Sequence, residues 1–309
     1  MQHIQNISTQ RVSWVKSNKA ALEKNSDAIK NLWYPETRQE LVDLLNRFHK
    51  EHISYDLIGY SSNTLFLPSY SIDNLVCTKR LDNYEVTDDA IVCDCGVNVA
   101  KLAREMVNKG YQGFFGLTDL PGTIASGVYG NCGCFDCSVC ELVESFTLLT
   151  DDGEIKTLHT KDLKLQYRST SLKRHELSGT ILQVKLKKIE GNPIEEQQKA
   201  DKAHAERKAT QPNAGNNLGT TFIGSKWTAK GKLLWKIDRV VRKVTREGDI
   251  RKRIRSDYKI IGGGRYVNYI YYWNRYMFRD ENSHKLFPQY VKFLHSICSD
   301  VHMEIEIKK

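Results

Sequence analysis

The residues of this chain best suited to chemistry are small ones. Leu120-Pro121-Gly122-Thr123-Ile124-Ala125-Ser126-Gly127 runs on to Asn131-Cys132-Gly133, so a Pro-Gly-Thr turn and an Asn-x-Gly turn share one short stretch. Glycine and other small residues let a backbone approach a ligand closely and aim N–H groups at anionic oxygens. Such a loop suits a diphosphate or a flat ring system. A second small, polar loop, Gly59-Tyr60-Ser61-Ser62-Asn63 with Thr64 after it, comes earlier. Two such loops at strand ends point to a dinucleotide more strongly than either alone.

Two further groupings carry potential chemistry. Cys132, Cys134, Cys137 and Cys140 form a C-x-C-x-x-C-x-x-C run. Clustered thiols can hold zinc or an iron–sulfur cluster, but this is not the spacing of a standard zinc knuckle. Small buried thiols are the simpler reading, and no metal is expected. Between Lys226 and Arg255 there are twelve Lys or Arg against three acidic residues, which equals the whole formal charge of +9. That segment attracts anions, and a weak membrane-surface contact through 226–255 stays open; no nucleic-acid module is visible.

These residues need a scaffold, and the pattern supplies one. Thr37 and Glu40 start a helix carrying Leu41, Leu44, Leu45 and Phe48. Ser54–Ile58 reads as a strand ending in the Gly59 loop; Leu75–Cys77 and Ala90–Cys93 read as further strands. Asn98 caps a helix with Leu102, Met106 and Val107, stopped at Gly110. Leu142–Thr150 and Ile155–Leu158 form a hairpin across Asp151-Asp152-Gly153. Thr180–Leu186 is a strand with Leu182, Val184 and Leu186 on one face. Residues 193–209 read as a charged helix, and 212–224, rich in Asn, Gly and Thr, as a boundary. Beyond it come a helix stripe (Leu233, Ile237, Val240, Val241, Val244), a strand over Tyr266–Tyr272, a helix over Leu286–Ile297 and an alternating terminal strand, Val301–Ile307.

At 309 residues and 40% apolar content the chain can bury more than one core. It has no secretory-type apolar run at Met1–Trp14 and no span of about 20 apolar residues, so a cytoplasmic protein with reduced thiols is expected.

The motifs in order resemble the UDP-N-acetylenolpyruvoylglucosamine reductases (UDP-N-acetylmuramate dehydrogenases), best between Tyr34 and Gly219. The family's Gly-Gly-Gly-Ser-Asn loop corresponds to Gly59–Asn63. Its Ile-Pro-Gly-Thr-Val-Gly-Gly-Ala loop corresponds to Leu120–Gly127, and its Asn-Ala-Gly-Ala-Tyr to Asn131–Phe135. Its Tyr-Arg pair falls on Tyr167-Arg168, and its Arg-Lys-Ala-Thr-Gln-Pro run on Arg207–Pro212. The Ala-Gly-Ser bearing the proton donor falls on Leu218-Gly219-Thr220, and the terminal Glu on Glu304.

The resemblance implies an α+β flavoprotein. Its FAD-binding domain would be of the vanillyl-alcohol-oxidase type, with two subdomains at 31–82 and 83–210. An N-terminal extension, 1–30, would precede it, and a smaller C-terminal substrate domain, 211–309, would follow. The implied reaction is NADPH- or NADH-dependent reduction of an enolpyruvyl ether on a UDP-sugar, as in cell-wall precursor synthesis. FAD would lie on Gly59, Tyr60, Ser61, Ser62, Asn63, Thr64, Pro121, Gly122, Thr123, Ala125, Ser126, Gly127, Asn131 and Gly133. Arg168 would stabilise charge spreading into the substrate carboxylate, Thr220 would protonate the carbanion-like carbon, and Glu304 would orient the substrate. Tyr167 and Asn268 would touch the substrate.

The chain departs from the family where substrate is recognised. Threonine replaces the donor serine at Thr220, and Phe222-Ile223-Gly224-Ser225 stands where the family has Phe-Lys-Asn-Pro. Ala125 and Ser126 replace glycines. These changes keep two alternatives in view: a related flavin reductase acting on another nucleotide sugar or surface-glycan precursor, and a flavin-binding protein that has lost catalysis.

Overall fold

The computed structural model describes residues 1–7, 12, 28–67, 69–210, 217–234, 236, 276 and 282–308. The chain divides into two compact units. The first comprises 1–7, 29–60 and 72–205; the second includes 61–71 and the residues from 206 onward. The expected strand at Tyr266–Tyr272, Asn268, most of the basic segment 226–255 and the helix-stripe residues Ile237, Val240, Val241 and Val244 lie outside the described residues.

In the first unit, β1 (Gln2–Ile7) pairs antiparallel with β2 (Ile29–Tyr34), and β2 runs parallel to β5 (Ile72–Cys77), which runs parallel to β3 (Asp56–Ile58). Parallel strands need a crossover, and α1 (Arg38–Lys50) lies between β2 and β3 in sequence. Thr37 Oγ1 accepts from the Glu40 N–H at 3.2 Å, and the Glu40 carboxylate accepts from the Glu36 N–H at 2.8 Å. Leu41, Leu44, Leu45 and Phe48 are buried in a cluster with Val76, Leu149 and Leu182. Each such side chain contributes about 2 kcal/mol on burial.

Residues 1–7 are thus part of this unit, not of an extension reaching to 30. The sequence conceals the strand because β1 is an edge whose side chains, Ile7 apart, stay out of the core. Backbone pairing holds it, and backbone pairing needs no apolar pattern.

The second sheet of this unit is antiparallel in the order β11 (Ile155–His159), β10 (Val143–Leu149), β12 (Thr180–Lys187), β7 (Ala90–Asp94), β6 (Tyr84–Val86). Leu102, Ala103, Met106 and Val107 of α2 (Val99–Asn108) share its core with Ile91, Phe146, Val184 and Leu186. Asn98 Oδ1 accepts from the Lys101 N–H at 2.9 Å, and Gly110, at φ 83°, lies just past the helix.

Leu182 does not share a face with Val184 and Leu186. Leu148 pairs with Ile181 while Thr147 pairs with Gln183, so Leu182 is an extra residue on β12. This bulge shifts the alternation, sending Leu182 into the α1 cluster and Ile181 into the other.

Short elements follow the Pro121 turn: α3 (Ile124–Tyr129), the hairpin of β8 (Gly133–Cys134) and β9 (Cys137–Ser138), and α4 (Val139–Leu142). The charged helix α5 spans Pro193–Thr210, and the division between units falls within it.

In the second unit, β4 (Thr64–Phe66) runs parallel to β15 (Glu306–Lys308), and β13 (Phe222–Ile223) pairs antiparallel with β14 (His302–Met303). Helix α6 (Asn282–Ile297) contributes Phe287, Tyr290, Leu294 and Ile297 to a core with Leu65, Leu218, Phe222 and Ile305. Two expectations change here. Residues 61–71 belong to this unit, not to the first subdomain. Val301–Ile307 is not one strand: it pairs first with β13 and then, past Glu304 and buried Ile305, with β4.

Candidate functional site

The residues singled out in the sequence fall into two groups, one in each unit.

In the first unit, β3 delivers Gly59 against the Pro121 loop. A Cβ on Gly59 would lie 2.6 Å from Thr123 Oγ1 and 2.9 Å from Ser126 Oγ, so no larger residue fits there. Gly122, at φ 136°, is buried, as are Thr123 and Gly127; Pro121 and Ser126 are exposed, and Tyr60 and Ala125 are half-buried. The stretch after Thr123 is helix, not open loop. Thr123 Oγ1 caps α3 by accepting from the Ser126 N–H at 3.3 Å, and the two hydroxyls lie 2.7 Å apart.

This changes what the loop offers. Ile124 N–H donates to Val97 O at 2.8 Å, Ala125 N–H to Cys95 O at 3.1 Å and Gly127 N–H to Thr123 O at 2.9 Å. These donors are spent on the protein's own backbone and do not form an anion cradle. The loop's smallness serves close approach instead. A Thr followed by a short helical run is an N-cap signal, and here it prevails over the turn chemistry of the Pro-Gly pair before it.

Arg168 closes this group. Its guanidinium donates to Asn131 O at 3.2 Å and Gly133 O at 2.6 Å, and it lies over the Tyr167 ring at 5.2 Å. Asn131 Nδ2 donates to Gln166 O at 2.8 Å, and Asn131 Oδ1 accepts from Ser138 Oγ at 2.8 Å. The second turn is therefore tied to the 166–168 segment by both backbone and side chain. Arg168 sits at φ 53° and Asn131 at φ 45°, uncommon for residues with a side chain. Tyr167 is 71% exposed.

In the second unit, Asn63 Nδ2 donates to Leu218 O at 2.7 Å and Asn63 O accepts from the Glu306 N–H at 2.9 Å. Thr64 continues into β4 opposite Glu306. Ser61, at φ 47°, is buried and its hydroxyl donates to Val12 O; Ser62 is half-buried. Gly219, at φ 84°, makes the turn before Thr220, braced by its N–H to Asn217 Oδ1 at 3.0 Å. Thr220 and Glu304 are both half-buried. Glu304 N–H donates to Thr221 O at 2.8 Å, so backbone pairing brings Glu304 beside the Thr220–Thr221 segment.

The sequence missed Thr221. It is 2% exposed; its Oγ1 accepts from the Tyr276 N–H at 2.8 Å, and it bonds the Tyr290 side chain. Burial drives the Tyr290 hydroxyl far above the usual phenol range. Asn217 was also missed, although Asn-x-Gly is a readable turn signal. Tyr290 is separated from Thr221 by a long stretch of sequence, and no local pattern links them.

No disulfide joins any of the eight cysteines. Among the described residues no group of His, Cys, Asp or Glu is arranged to hold a metal ion. Burial pushes the Cys140 thiol up to about 12. Among the described residues, too, no helix is long and apolar enough to cross a membrane.

Comparison with known proteins gives these features a context. Residues 29–159 match a family described as FAD binding domain. A UDP-N-acetylenolpyruvoylglucosamine reductase from Caldicellulosiruptor saccharolyticus is 23% identical over 201 residues, covering 65% of each chain. One of the same description from Streptococcus pneumoniae (strain CGSP14) is 27% identical over 191 residues, 62% of this chain and 63% of its own. The match thus spans a little under two-thirds of these relatives' length. The crystal structure of UDP-N-acetylenolpyruvylglucosamine reductase from Thermus caldophilus superposes with a TM-score of 0.68 at 17% identity, covering 100% of this chain and 98% of that one, so the fold is shared.

Proposed function

We propose, from the premise that this chain is a divergent member of the UDP-N-acetylenolpyruvoylglucosamine reductase family, that it is an FAD-dependent oxidoreductase. Its reaction is NADPH- or NADH-driven reduction of an enolpyruvyl ether on a nucleotide sugar. The observation that carries this reading is the meeting of Gly59 with Thr123 and Ser126. Two motif loops pack there so closely that any side chain on Gly59 would meet Thr123 Oγ1, Thr123 Cγ2 and Ser126 Oγ, and such close-set, small-residue backbone suits a flat ring system lying along it.

FAD, when bound, supplies the hydride chemistry. The chain's residues bind, orient and move protons. Gly59 lets the two loops close on one another at Thr123 and Ser126, and Gly127 lets the short helix pack on Val139, which sets the loop surface on which the cofactor would lie. Asn131 and Gly133 are held in place for it by Arg168, whose charge also suits the carboxylate on which negative charge develops. The Thr220 hydroxyl donates the proton to the substrate carbon, and Glu304, carried on the Thr221 backbone, orients the substrate.

A second reading has an observation of its own. Where the family has Lys-Asn after Phe, this chain places Ile223 and Gly224. Ile223 pairs with His302, and a Cβ on Gly224 would lie 2.5 Å from Cys298 Sγ. That segment is built for packing, which favours a nucleotide sugar or surface-glycan precursor with different polar groups.

Purified full-length protein decides. The proposal expects a yellow protein whose flavin NADPH bleaches and UDP-N-acetylglucosamine enolpyruvate reoxidises. Bleaching without reoxidation moves the reading to another substrate. Flavin that NADPH and NADH leave oxidised points to a binding protein, and absence of flavin refutes the assignment.

A further inference from the structure

We infer that Cys134 and Cys137 form a redox-active dithiol, closed by disulfide exchange into a cross-hairpin bond that alters the Asn131–Gly133 loop. The two residues are direct partners across the β8–β9 hairpin. Opposed residues of an antiparallel pair have Cα atoms about 4.5–5.5 Å apart, within the window a disulfide requires, and their side chains share a face. The connecting residues, Phe135 at φ 50° and Asp136 at φ 59°, make the tight two-residue turn that fixes this register. Holding a Phe in that conformation is costly, so the register is maintained against local preference.

The two sulfurs differ in a way that suits exchange. Cys134 is half-buried, whereas Cys137 is buried, with its Sγ accepting from the Gly116 N–H at 3.4 Å. Burial, with Glu141, Glu196 and Asp136 nearby, pushes the Cys137 thiol up to about 11, while Lys199 faces it from α5. Cys134 is therefore the attacking thiol. Its thiolate attacks a low-molecular-weight disulfide, forming a mixed disulfide and releasing one thiolate. Cys137, deprotonated, then attacks the Cys134 sulfur and releases the second. Two protein thiols are oxidised, one external disulfide is reduced to two thiolates, and these take up the two protons the protein thiols give up.

The bond acts on the candidate cofactor loop through short links. Closure draws Cys137 Sγ from Gly116 and tightens a hairpin in which a Cβ on Gly133 would already lie 2.3 Å from Cys137 O. Gly133 O is one of the two carbonyls held by Arg168. The oxidised form should bind FAD more weakly, by about fivefold or more; this second part rests on the FAD reading above, and the first does not.

The test uses the full chain stripped of flavin and incubated with oxidised glutathione. The expected product has lost two hydrogens by intact mass, maps to a 134–137 link on digestion, and reverts with dithiothreitol. Cys134→Ser, at the half-buried position, should lose the link, and Cys137→Ser should stop at a stable glutathione adduct, while Cys132→Ser should keep the link. No link, or one joining Cys132 to Cys140, overturns the dithiol. A 134–137 link with equal FAD affinity in both forms overturns its action on the loop. Failure of both forms to bind FAD, with the link present, removes the FAD reading and the coupling while the dithiol stands.

Discussion

The two groups of candidate residues are stabilised in different ways. Around Thr123 and Gly133, side chains grip backbone: a Thr cap, an Asn on a carbonyl, an Arg on two carbonyls. Around Thr220 and Glu304, the side chains of Asn63, Asn217 and Thr221 also bond backbone, but the segments are joined by strand pairing over a buried aromatic cluster, with Tyr276 and Tyr290 rings 4.7 Å apart. The first group depends on residue identity at each position, so divergence leaves its motif readable. The second adds to its few side-chain bonds a strand pairing and an apolar bulk that many sequences supply, and there the motif fades.

Substitutions should separate the two regimes. The largest stability loss is expected from Gly133→Ala, where the new Cβ meets Cys137 O at 2.3 Å and Ser138 Cα at 2.9 Å, backbone that cannot swing aside. A cost of about 3 kcal/mol is expected, with FAD binding lost, measured by denaturation and flavin titration. Thr221→Val comes next, at about 2 kcal/mol, since it removes the acceptor of the buried Tyr276 N–H. It should leave FAD affinity unchanged; a matching loss of flavin would show that the groups are not separable.

Arg168→Ala should cost about 1.5 kcal/mol, the lower end for a charged donor because the side chain is half-exposed. Arg168→Lys sharpens this: lysine keeps the charge but not the two-carbonyl fork, so FAD affinity should fall nearly as far as in Arg168→Ala. Thr123→Ala should cost about 1 kcal/mol through loss of the α3 cap. Smallest in stability is Thr220→Ala, within about 0.5 kcal/mol, yet it should abolish flavin reoxidation while leaving reduction intact. Unchanged turnover would remove Thr220 from the mechanism.

Much of the first unit was legible. Thr37 and Asn98 announce their helices because an N-cap is a local event, decided by one side chain and the N–H three residues on. The Asp151–Gly153 hairpin is local for the same reason, with Gly153 at φ 86°. The β12 face was misread at Leu182, because a bulge belongs to the pairing of two strands and neither alone records it. The C-terminal strand was misread because its alternation continues through a change of partner from β13 to β4.

By itself, the sequence determined the glycines and small residues that admit close backbone approach, the caps, and the order of motifs marking a flavoprotein relative. These are properties of single residues and short turns, whose conformational limits travel with the chain. Tertiary structure decided that the Pro121 loop spends its N–H groups on Val97 and Cys95, that Arg168 holds Asn131 and Gly133, that Thr221 anchors Glu304, and that Cys134 faces Cys137. Each of those depends on which distant or opposing group fills a donor, an acceptor or a face, and that choice is made only when the elements pack.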